Sequence, residues 1–348
     1  MPIPHYRRQR DTETVIERAI DFARPRHMRC GACDHEWNVT GEFLNRVDPA
    51  PETCPACNTD WQSEERPHFH AVANDPAQDD ASVFSHYWYH SSTHDDWPNK
   101  ECDPARKVMD IDAARDLAEE LMSRAALEEW AQRQKTKALH VGTYEAAIEN
   151  MFRRICYQNG SSEQFFLYRV RLRSDCIIEP GVHQERTDLG GDVQIAEVCQ
   201  RPGANVFRYV NVHEDVSSIS LAITAKAVEA VQQIAVPLPM IADDPWIVSA
   251  TERLLTAASR QPKSKTESLL RRRGQESPAL LEEACELVAE VERDLPYPLR
   301  NRFSIKFNES DFQEKPSVFP AKVLELARLV TNPHSALDEL SKQQWRIV

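Results

Sequence analysis

Leu139-His140-Val141-Gly142-Thr143-Tyr144-Glu145-Ala146-Ala147 reads as a strand that turns through Gly-Thr into a helix, and it sets the class of the central part of the chain. The helical pattern continues to Ile155, and strand-like runs surround it at Lys137 to Val141, Phe165 to Leu172, Asp192 to Val198, Val206 to Val212 and Ile219 to Ile223. An aromatic strand, Phe84-Ser85-His86-Tyr87-Trp88-Tyr89-His90, opens this part. Between it and the quoted stretch, Asp112 to Arg133 reads as a helix with Leu117, Leu121 and Leu127 on its core side. Beyond Pro245 the pattern is helical: Trp246 to Ser259, Ser277 to Asp294 and Pro320 to Val330. The expected class is α+β.

Three short segments of the central part carry candidate chemistry. The first is Tyr89-His90-Ser91-Ser92-Thr93, and the second is the quoted stretch with His140, Thr143 and Tyr144. The third is Tyr209-Val210-Asn211-Val212-His213-Glu214-Asp215, followed by Ser218-Ile219-Ser220-Leu221-Ala222-Ile223. Each sets a His or Glu among hydroxyl neighbours at a strand edge.

In this order the segments resemble the ADP-ribosyltransferase fold over residues 84 to 236. The first is similar to the family's Tyr-His-Gly-Thr strand, and the second to its later strand-turn-helix. The third looks like the ending of the transferase-like domains of phage polyvalent proteins, so the resemblance is phage-related. It implies a central split β-sheet that takes NAD as co-substrate, cleaves the nicotinamide-ribose bond and transfers ADP-ribose to a macromolecular acceptor. Carried onto this chain, His90 would contact the adenosine ribose, with Ser91 beside it. A ring at His140 or Tyr144 would lie against nicotinamide, and Thr143, Tyr209, Asn211 and Ser220 would line the site. Glu214, with His140, would be catalytic, its carboxylate stabilising the oxocarbenium ion. The chain departs from the family pattern in three places. Ser91 replaces the usual Gly, His140 stands where many members have Tyr, and the acid position at the strand start is filled by Ser220. Either Glu214 acts from the preceding loop or the domain is inactive, which leaves a non-enzymatic adaptor or inhibitor as the alternative. A lesser alternative is a metallohydrolase using His86, His90 and His94, which a helix would align. On a strand the first and second of these imidazoles stand about 13 Å apart.

Upstream, Cys30-Gly31-Ala32-Cys33 and Cys54-Pro55-Ala56-Cys57 form two C-x-x-C knuckles with twenty residues between them. That spacing predicts a closed tetrahedral four-thiolate site, hence structural zinc with no open position for catalysis. From Cys30 to Glu65 the chain holds eight acidic residues and one basic residue, Arg46. Such a module repels a phosphate backbone, so a protein partner or acceptor fits better than a nucleic acid.

The formal net charge of -13 over 348 residues agrees, and it argues against general affinity for nucleic acid or anionic membranes. No stretch approaches eighteen apolar residues, and Met1 to Arg8 lacks the apolar run of a leader. Beyond the knuckles, Cys102, Cys156, Cys176, Cys199 and Cys285 show no framework spacing, so reduced thiols and a cytoplasmic location are expected. The expected organisation is an N-terminal helix (1–27, with its apolar spacing over 11–24), a zinc ribbon (28–64), a separable acidic linker (65–83), the transferase-like domain (84–240) and a helical C-terminal region (241–348). The last includes a basic run, Arg260 to Arg273, with six basic residues against one Glu.

Overall fold

The computed structural model describes residues 15–44, 53–60, 62–72, 74–99, 123–157, 163–186, 193–238, 244–260 and 277–348. Its centre is Phe165–Leu172 (β6), a strand that buries Phe165 and Leu167 on one face and Tyr168, Val170 and Leu172 on the other. It pairs antiparallel with Trp88–Ser92 (β4) on one side and with Val228–Val236 (β10) on the other. A second sheet is built from Leu139–Val141 (β5), His183–Gln184 (β7), Val206–Val210 (β8) and Ile219–Ile223 (β9), in the order β5-β9-β8-β7. The two sheets are joined by main chain where Tyr89 and Gly142 exchange backbone hydrogen bonds of 2.9 and 3.0 Å. Among the described residues the sheet is therefore split, in an α+β architecture.

The two largest apolar cores among the described residues follow. Trp88, Tyr168, Val170, Val206, Ile219, Leu221 and Val231 fill the space between the sheets. The other core joins the helix Tyr144–Tyr157 (α4, the fourth among the described residues) to the C-terminal helices Pro245–Ser259, Pro278–Glu292, Val318–Thr331 and Pro333–Lys342. Its members include Ile148, Met151, Phe152, Leu254, Leu287, Leu326 and Leu340. The final strand, Arg346–Ile347 (β11), adds to the edge of β10. One continuous core thus spans the expected boundary near residue 240.

The cysteine module is a three-stranded antiparallel sheet, Glu36–Val39 (β2), Arg26–Cys30 (β1) and Pro67–Phe69 (β3), in the order β2-β1-β3. It reaches into the expected linker, because β3 comes from residues 67–69. Further along that linker, a 3₁₀ turn at Pro76–Gln78 is followed by the helix Asp80–Phe84. Buried Arg208 of β8 donates to the carbonyls of Ala77 and Gln78 at 3.0 and 2.7 Å and pairs with Asp80.

Residues 15–24 are not helical, contrary to the spacing of their apolar residues; 11–14 lie outside the described residues. An extended chain lets successive side chains reach different elements, which a single helix face does not allow. Ile16 bridges His86, Glu17 receives the Tyr89 hydroxyl and pairs with Arg169, and Phe22 packs edge-on against Tyr144 at 6.1 Å. Of the other expected elements, Asp192 to Val198 contains the helix Ile195–Val198 rather than a strand, with Asp192 outside the described residues. The expected helix from Asp112 is described from 123 onward and runs Arg124–Thr136; most of the basic run, 261–273, lies outside the described residues.

The extended segment brings charge into the interior. Arg24 donates to Asp215 Oδ1 at 2.7 Å, and fully buried Arg26 lies 3.5 Å from Asp215 and 3.8 Å from Glu149. Arg302 completes the node on Glu149, and Glu145 accepts from the Asp21 amide at 2.7 Å. Burial pushes the Glu145 and Glu149 carboxyls up to about 7.

Two outcomes are expected. A chain beginning at Ala81 removes Glu17, Phe22, Arg24 and Arg26 together and strips the buried Asp215 carboxylate of both its guanidinium partners, so it should lack a cooperative thermal transition by circular dichroism. The raised carboxyls bind protons in the folded state that the unfolded chain has released, so their contribution to stability is present below about pH 4.5 and declines as pH rises to about 7. Glu145→Gln, measured by urea unfolding, should lessen that decline between pH 5 and pH 8 by roughly 2 kcal/mol.

Candidate functional site

The bridge between Tyr89 and Gly142 places the first and second candidate segments side by side. Gly142 is needed there: a Cβ at this position would lie 2.8 Å from Ser220 Oγ and 2.9 Å from Ala146 Cβ. From this point a chain of polar contacts runs through all three segments. His90 Nδ1 is 2.8 Å from the His140 carbonyl, which can only accept, so Nδ1 carries the proton. Burial pushes the His90 imidazole down to about 3, so the ring is neutral near pH 7 and its Nε2 is an acceptor. Trp97 stacks on one face of the ring at 4.2 Å. His140 Nδ1 is 2.9 Å from the Tyr209 hydroxyl, whose own ionisation is pushed far up by burial.

The third segment is a tight turn organised by Asn211. Its Oδ1 accepts from the amides of His213 and Glu214 at 3.0 and 2.9 Å, and its Nδ2 donates to Ser220 Oγ at 3.1 Å. Glu214 is thereby aimed at α4, where Arg153 Nε donates to it at 2.7 Å and Asn150 Nδ2 at 3.2 Å. Asn150 also accepts from Ser91 Oγ at 3.3 Å, which closes a ring back to the strand of His90. Seven of the expected residues, His90, Ser91, His140, Tyr209, Asn211, Glu214 and Ser220, thus form one connected cluster.

Two do not. Tyr144 is sealed in the helical core, with its hydroxyl on the Leu329 carbonyl at 2.8 Å and its ring edge-on to Tyr89 at 5.4 Å. Thr143 caps α4, accepting from the Ala146 amide and donating to Asp215 Oδ2 at 2.7 Å. Both serve the fold next to the cluster. Three residues without a sequence signal join it instead: Asn150 and Arg153, one turn apart on α4, and Glu185, which follows β7. Glu185 accepts from the Val212 amide at 2.7 Å, and burial, with Glu214 nearby, pushes its carboxyl up to about 7.

The histidines of the metallohydrolase alternative do not converge. His86 Nδ1 bonds the Ser82 carbonyl at 2.8 Å, while His90 faces His140. Among the described residues the one group of three or more His, Cys, Asp or Glu close enough to hold a metal is Cys30, Cys33, Cys54 and Cys57, with sulfurs within 4.8 Å of one another. The Cys30–Cys57 and Cys33–Cys54 sulfurs stand 3.6 and 3.7 Å apart. Tetrahedral zinc at about 2.3 Å from each sulfur sets them about 3.8 Å apart, so the donor set fits that ion. Each knuckle turns its chain back in the same way: the Asp34 and Asn58 amides bond the Cys30 and Cys54 carbonyls, with φ of 57° and 59° at Asp34 and Asn58.

No model of a known protein family matches the chain, and no match is found among curated proteins or solved structures. No helix among the described residues is long and apolar enough to cross a membrane. Elemental analysis of the purified protein should find about one zinc per chain, and Cys30→Ser/Cys54→Ser should bind none. A double variant that remains fully loaded would exclude the site.

Proposed function

We propose that the chain is an ADP-ribosyltransferase-like protein that binds NAD at the His90–His140–Tyr209–Glu214 cluster and cleaves its nicotinamide-ribose bond. The observation that carries this reading is the convergence of three sequence-distant segments, in the order of the resemblance, at the seam of a split sheet. Neutral His90 offers Nε2 to a ribose hydroxyl. Glu214, held by Arg153 and Asn150, supplies the negative charge that stabilises the oxocarbenium ion as nicotinamide departs. The ribose carbon then bonds to an acceptor nucleophile or to water, and the nucleophile's proton passes to a nearby base. Glu185, with its raised carboxyl affinity for protons, stands beside Glu214 for that step. Zinc in the ribbon is structural in this reading, and the acidic surface favours a protein acceptor over nucleic acid.

A second reading, an inactive domain serving as an adaptor, is favoured by one observation. Ser91, Tyr209, Asn211 and Ser220 are buried and their polar groups already have protein partners: Ser91 bonds Asn150, Tyr209 bonds His140, and Asn211 bonds Ser220. Nicotinamide release from NAD separates the two. Glu214→Gln should lower the rate about 10²- to 10³-fold while NAD affinity stays within about threefold, because the carboxylate acts on the transition state. Equal loss of binding and rate would make Glu214 structural. No NAD binding by the wild type at millimolar concentration would leave the adaptor reading.

A further inference from the structure

We propose that the four-cysteine centre controls the conformation of the turn 211–218, which makes the ribbon an effector module for the cluster that contains Glu214. The proposal rests on the ribbon's geometry and holds whatever the cluster binds.

One strand links the two places. β1 ends at Cys30, a metal ligand, and begins at Arg26. The His27 amide donates to Ser217 Oγ at 3.0 Å, while Arg26 approaches Asp215. Arg24, just before the strand, donates to the carbonyls of Asp215 and Val216 at 3.2 and 3.1 Å as well as to the Asp215 carboxylate. From Arg26 to Cys30 is about 13 Å of extended chain, so the pairing of β1 carries order from the metal to the turn.

The turn needs such support. Asp215 and Ser217 sit at φ of 43° and 65°, in the left-handed region that residues with a side chain rarely occupy. Its internal bonds, from the Ser217 amide to the Asn211 carbonyl and from the Ser218 amide to the Asp215 carbonyl, hold the chain closed only with both residues in that region. The ribbon cannot hold β1 by packing alone. Among the described residues its buried apolar side chains are Met28, Val39 and Phe43, flanked by Trp37, Leu44 and Phe69. A core of that size depends on its metal. Loss of the ion therefore frays β1, withdraws the Arg24, Arg26 and His27 donors, and frees the backbone next to Glu214.

Hydrogen exchange on the full chain, zinc-loaded and after chelation, tests the proposal. Peptides covering 209–220 report the turn, and peptides covering β6 and β10 serve as internal references. Chelation should accelerate exchange at 213–218 by about tenfold or more and leave the references unchanged. Arg26→Met, still carrying one zinc, should exchange in the turn as the chelated wild type does. If Arg26→Met fails to fold, Arg24→Met, whose side chain reaches the surface, takes its place with the same expectation. Equal protection of the turn with and without zinc would overturn the proposal. So would loss of protection in β6 and β10 together with the turn, because the ribbon would then be part of one cooperative core with no separate effect on the site.

Discussion

Two guanidinium groups approach one oxygen of Asp215, Oδ1, Arg24 at 2.7 Å and Arg26 at 3.5 Å, at a point 1% exposed to solvent. A buried carboxylate without such partners costs several kcal/mol, so this contact constrains everything it touches. Three parts of the molecule converge on it: the ribbon through Arg26, the helix α4 through Thr143 and Glu149, and the C-terminal region through Arg302. The backbone amide of Asp215 also donates to Glu149 at 2.9 Å, so the turn and the helix are joined through main chain as well as side chain. The node orders the N-terminal segment, the split sheet and the helical layer together.

Function, in the proposed reading, follows from where that node lies. Glu214 precedes Asp215, so whatever fixes one fixes the direction of the other. The turn aims Glu214 at α4 and leaves Asn211 bonded to Ser220, while the absence of a side chain at Gly142 makes room for Ser220. Substituting around the cluster therefore risks the scaffold as much as any chemistry. Arg153 and Asn150 matter because they hold Glu214 without belonging to the node.

Much of the fold was legible in the sequence because local pattern and tertiary role agree. The strand-turn-helix at 139–157, the strands at 165–172 and 219–223, and the helices after Pro245 follow their periodicity. Other parts were not legible, for particular reasons. Residues 15–24 have helical spacing, but Glu17, Arg24 and Phe22 each have a different distant partner, and those contacts outweigh local propensity. β10 reads Val228-Glu229-Ala230-Val231-Gln232-Gln233-Ile234-Ala235-Val236; a register shift between Val228 and Ala230 and two adjacent glutamines break its alternation. At the site, His90, His140 and Glu214 stood out as polar residues at strand edges. Glu185 did not, because a two-residue strand leaves no periodic trace, and Tyr144 misled because an aromatic at a helix start serves a core as readily as a ligand.

The most direct measurement of the node is a double-mutant cycle between Arg26→Met and Asp215→Asn, read by urea unfolding. A buried pair that ties ribbon to turn should give a coupling energy above about 1 kcal/mol, with the double change costing less than the sum of the two single changes. Additivity within about 0.3 kcal/mol would contradict the claim that this contact joins the two parts of the molecule.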